Sequence, residues 1–64
     1  MSTNTIHPLR VQRHRVGLSQ VELARRAGVS PRTVLRTENY QHTASPAVLR
    51  CLAAALGVDV EVLR

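Results

Sequence analysis

Arginine is the side chain with which this 64-residue chain can do most chemistry. All nine basic residues are arginine, set against four acidic ones, for a formal net charge of +5. A guanidinium is planar, permanently charged and carries its donors in a rigid fork, which suits phosphate oxygens and the O6/N7 edge of guanine. Arg32 and Arg36 stand four residues apart, a spacing that sends both side chains the same way from a helix. Up to Tyr40, seven arginines less Glu22 and Glu38 leave +5; beyond it, Arg50 and Arg64 cancel Asp59 and Glu61. So one-sided an excess points to a polyanionic partner, whether nucleic acid or an anionic membrane surface.

Other chemistries have less to work with. His7, His14 and His42 lack metal-ligand spacing and a companion cysteine pair, so no metal or cofactor is expected. Ser19, Ser30 and Ser45 stand where helices begin. None has a histidine–carboxylate partner suggested by the sequence, so the chain reads as no enzyme. Cys51 is the sole cysteine and falls in "LRCLAAALG", where it reads as a small core hydrophobe. No apolar run approaches the length of a membrane span and no signal peptide stands at the start, so a cytoplasmic protein is expected. A membrane-surface peptide would carry one broad apolar face, whereas the apolar residues here fall into several separate stripes.

Those stripes define the elements that must position the arginines. Residues 1–7 read as a flexible arm. Pro8 opens a first helix with Leu9, Arg13 and Val16 on one face, and Gly17 stops it. Ser19 and Glu22 form a capping box for a second helix, whose inward stripe is Leu23, Ala24 and Ala27 and whose end is Gly28. Ser30-Pro31 starts a third helix, about residues 31–39. At 100° per residue Val34, Thr37 and Glu38 share one side of it, and Arg32, Thr33 and Arg36 the other. "YQHTA" is a loop. Ser45-Pro46 then begins a fourth helix striped by Leu49, Leu52, Ala53 and Leu56 and closed by Gly57, and Asp59 caps a last turn ending in Leu63. The expectation is an all-α fold of five short helices, a single domain over residues 8–64. With Tyr40 its one aromatic residue, the core must be Val, Leu and Ala.

The second and third helices, joined by the three residues Gly28 to Ser30, form a helix-turn-helix unit. The run "GLSQVELARRAGVSPRTVLRTEN", followed by "PAVLRCLAAALGVDVEVL", resembles the lambda-repressor/Cro-like (XRE) family over residues 8–63. The resemblance implies a recognition helix at about 31–39 in the major groove of double-stranded DNA, with Arg32, Thr33 and Arg36 facing base edges. It implies that Gln20 hydrogen-bonds a phosphate, and that Arg13 and Glu38 form a partly buried ion pair. Arg25, Arg26, Asn39 and Thr43 are further candidates for phosphate contact. Two departures stand out. Thr37 occupies a position where the family usually has an aliphatic residue, and Tyr40 one where it commonly has glycine, which makes Asn39 the expected left-handed residue at the helix end.

The implied function is a bacterial or phage transcriptional regulator, a repressor acting by operator occlusion, with a homodimer on a palindromic site as one arrangement. The alternative is an antitoxin-type protein-interaction module on the same scaffold, which an added partner-gripping segment would mark.

Overall fold

Every helix of this chain starts at a side chain that accepts one of the backbone amides a helix leaves unpaired at its N-terminus. A computed structural model describes residues 6–39 and 44–63. It contains helices α1 (Pro8–Arg15), α2 (Gln20–Ala27), α3 (Pro31–Glu38) and α4 (Pro46–Leu56), and a 3-10 turn at Val60–Leu63. Ser19 Oγ accepts the Glu22 amide at 3.0 Å while the Glu22 carboxylate accepts the Ser19 amide at 3.1 Å, completing the capping box of α2. Ser30 caps α3 at 3.2 Å and Ser45 caps α4 at 3.3 Å, each followed by proline in the first turn. The cap of α1 is His7, the last residue of the expected arm, whose Nδ1 accepts the Leu9 amide at 2.9 Å.

The helix ends differ. Gly28 (φ 75°) and Gly57 (φ 72°) take the left-handed conformation that a Cβ would disfavour, and the next amides, of Val29 and Val58, reach back to Ala24 and Ala53 at 3.0 Å. Asn39 corrects the expectation placed on it. Its φ of −91° and ψ of 9° are right-handed, and its amide donates to the Leu35 carbonyl at 3.0 Å, so α3 ends without a left-handed residue at Asn39. The helix count is corrected too: among the described residues four α-helices and a 3-10 turn stand where five helices were expected. After Gly57 the chain has room only for a tight turn, in which Asp59 Oδ1 accepts the Glu61 amide and the Asp59 carbonyl accepts that of Val62, both at 3.0 Å.

Among the described residues the elements enclose a core of Leu9, Leu18, Leu23, Ala24, Val34, Leu52, Ala53, Leu56 and Leu63. Helix α2 lies between α3 and α4, the final turn packs on α4 and α1, and α1 reaches across to α3. Two residues given inward places by the sequence lie outside. Val16, the residue after the last of α1, is exposed. Cys51 is also exposed. The buried stripe Leu52, Ala53 and Leu56 lies on the opposite side of α4, about half a turn away at 100° per residue.

Candidate nucleic-acid interface

A three-residue connection, Gly28–Ser30, delivers the chain from α2 into α3 and lets the second helix lie against the first. The two sides of α3 then separate cleanly. Val34 (0% exposed), Thr37 (2%) and Glu38 (7%) are buried, whereas Arg32, Leu35 and Arg36 are exposed and Thr33 is half-buried. Thr33 shares a 3.0 Å hydrogen bond with the Ser30 hydroxyl, so the cap of α3 also fixes one outward side chain.

The inward side is held by a polar clamp. Arg13 meets Glu38 through two parallel bonds, Nε to Oε2 at 2.7 Å and Nη2 to Oε1 at 3.0 Å. Its remaining terminal nitrogen, Nη1, donates to the Leu18 carbonyl at 3.0 Å. Gln20 Nε2 donates to Glu38 Oε1 at 3.1 Å. One carboxylate thereby ties together α1, the start of α2 and the end of α3. A buried charge is tolerated when it is paired and hydrogen-bonded, and here both carboxylate oxygens accept from the counter-charge and one also from Gln20. Burial alone would push the Glu38 carboxyl up; hydrogen bonds from Arg13 and Gln20 and the positive charges of Arg13 and Arg10 outweigh it and hold the group below its ordinary value. His7 is shifted down by burial, with the Glu38 charge opposing that shift. Against this completeness stands Thr37, whose buried Oγ1 has no hydrogen-bond partner among the described residues.

The remaining candidates fall as follows. Arg25 and Arg26 are exposed in the last turn of α2, and Asn39 is exposed at the end of α3. Gln20, expected at a phosphate, spends one of the two hydrogens on its Nε2 on Glu38 and the other on no described residue. Thr43 lies outside the described residues, as do Tyr40 and His42. Two residues escaped the sequence reading. Leu35 is one: three residues from Arg32 is about 60° on the helical wheel, which puts it on the outward side. His7 caps α1 although imidazole is an uncommon helix cap, and its only signal in the sequence is the position just before Pro8.

The outward side of α3 thus presents two guanidiniums and a hydroxyl on a rigidly held helix. Among the described residues no cluster of His, Cys, Asp or Glu could hold a metal ion, and no helix is long and apolar enough to cross a membrane. No characterised protein matches the chain. A family does match, over residues 7–64, and its description is a helix-turn-helix domain, which points to a DNA-binding regulator. Because that match covers nearly the whole chain, including the two helices and the turn that carry the outward arginines, the protein belongs to the helix-turn-helix domain family.

Proposed function

We propose that the protein is a sequence-specific, double-stranded DNA-binding transcriptional regulator of the lambda-repressor/Cro-like kind, repressing by occlusion of its operator. The observation that carries this reading is the division of α3: Arg32 and Arg36 point outward together while the opposite side is locked through Glu38 to Arg13 and Gln20. A helix fits the major groove, and arginine can bond guanine there through O6 and N7. In this reading Arg32, Thr33 and Arg36 read base edges. Gln20, Arg25, Arg26, Asn39 and Thr43 hold phosphates, which fix register without specifying sequence.

The test is selection of a preferred site from random duplexes, followed by a base-substitution scan with single variants. Arg32→Ala or Arg36→Ala should relax preference at one base pair, a bidentate pair being worth roughly 1–3 kcal/mol of discrimination. Arg25→Ala should lower affinity evenly and reduce the salt dependence by about one unit. A palindromic selected site would indicate a homodimer. If both α3 variants keep the wild-type base preferences, α3 is not the reader and the partner-protein alternative takes its place.

A further inference from the structure

Alongside the arginine row of α3 runs a second, apolar row. Pro31 and Leu35 are both exposed and, being four residues apart, lie one above the other on the helix, as Arg32 and Arg36 do beside them. Leu35 is 42% exposed, whereas Val34, its apolar neighbour in sequence, is wholly buried. A lone exposed leucine is unremarkable on most surfaces. This one is flanked by the two guanidiniums that the proposed function sends into the major groove, where it would be stripped of water among hydrogen-bonding edges. It can neither donate nor accept there. Across the four base-pair arrangements, the edges in that groove are donors and acceptors, and the one apolar substituent is the C5-methyl of thymine.

We propose that Leu35 is a specificity-determining residue that reads a pyrimidine C5-methyl group beside a guanine contacted by Arg32 or Arg36. The inference rests on α3 being the base reader. Consecutive residues advance about 1.5 Å along a helix, so Leu35 and Arg36 reach the groove floor at nearly the same height. The methyl group therefore belongs to a base pair next to the guanine. Thymine and 5-methylcytosine carry the same methyl group in the same place, so either would satisfy the contact.

The experiment uses the full chain and the duplex obtained by selection. Each thymine is replaced singly by deoxyuridine, which removes only the methyl group, and affinities are measured for wild type, Leu35→Ala and Leu35→Met. One thymine next to an arginine-read guanine should lose about fourfold in wild-type affinity on demethylation, the equivalent of one buried methyl. Leu35→Ala should bind the thymine and deoxyuridine duplexes alike, and Leu35→Met should restore the preference. At that same position, 5-methylcytosine should bind tighter than cytosine by a similar factor in wild type and not in Leu35→Ala. Melting curves of Leu35→Ala matching wild type would show the fold intact. The proposal is overturned if no demethylation weakens wild-type binding, or if Leu35→Ala keeps the full methyl preference. Loss of guanine preference in Arg32→Ala or Arg36→Ala, with no methyl effect at all, removes the Leu35 role and leaves the base-reading function standing. Failure to select any duplex removes both.

Discussion

Helices α3 and α4 begin identically and are held by opposite means. Each starts with a capping serine followed by proline, and each serine hydroxyl accepts the amide three residues on. Beyond that turn they diverge. The buried side of α4 is Leu52, Ala53 and Leu56, held by apolar contact that depends little on direction. The buried side of α3 is Val34, Thr37 and Glu38, held largely by charge-assisted bonds of defined length and angle. Apolar burial fixes that a helix packs; a bidentate ion pair also fixes its rotation and its slide along its own axis. In the proposed function, the helix that has to aim side chains is the one given the directional hold.

The comparison can be broken most forcefully at the clamp. Arg13→Ala leaves the Glu38 carboxylate buried without its counter-charge and should cost about 3–5 kcal/mol, read as a large fall in melting temperature. The double variant Arg13→Met, Glu38→Leu should recover most of that loss, since apolar replacements of a buried pair are often neutral. Its specific DNA binding should recover far less. A double variant that melts and binds like wild type would show that direction contributes nothing.

Acid should undo α3 and α1 before α4, because α4 is held by no titrating group among those resolved to shift. The folded pKa of His7 lies below the ordinary 6.5, so its contribution is fully present above pH 6.5 and is lost as pH falls through the folded value. Protonation makes Nδ1 a donor, and the cap on the Leu9 amide is lost. Glu38, also shifted down, stabilises above its ordinary 4.5 and loses that contribution as pH falls through its lower folded value. Stability measured from neutral pH downward should fall in two stages, and His7→Asn should remove the first.

A smaller effect sharpens the contrast from the other direction. Thr37→Val removes a buried hydroxyl that has no partner among the described residues while keeping the branched shape, and should stabilise the fold by about 1 kcal/mol. An unchanged or lowered melting point would mean that Oγ1 does find a partner. Smallest of all should be the difference between the shared starts. Ser30→Ala and Ser45→Ala should each cost about 1 kcal/mol, with Ser30→Ala slightly worse because it also releases Thr33. Unequal losses of more than that would mean the two caps are not the same device.

The starts of the helices were legible because capping is local: Ser19 with Glu22, and two Ser-Pro pairs, announce themselves within four residues. The outward arginines followed from the same 100° arithmetic that placed Val34, Thr37 and Glu38 inside. Cys51, which the same arithmetic places away from the Leu52, Ala53 and Leu56 stripe, is exposed, and so is Val16, beyond the last residue of α1. At Asn39 a neighbouring position without glycine is no signal for a left-handed residue, because the backbone there is right-handed. The Gln20–Glu38 bond spans eighteen residues and could not be read from spacing at all. Only packing brings that amide to that carboxylate.

The Gln20 bond has a consequence for the entropy of association. A free glutamine side chain gives up roughly 1.5–2 kcal/mol of rotamer freedom when it is fixed, and binding normally bears that loss at the moment of contact. Here folding has already borne it. Glu38 holds the amide in one orientation before any duplex arrives, with a second N–H that no described residue accepts. If that N–H meets a phosphate, the contact forms between a ligand and a side chain that has almost no motion left to lose. A bond ordinarily diminished by the cost of immobilisation would then contribute close to its full strength.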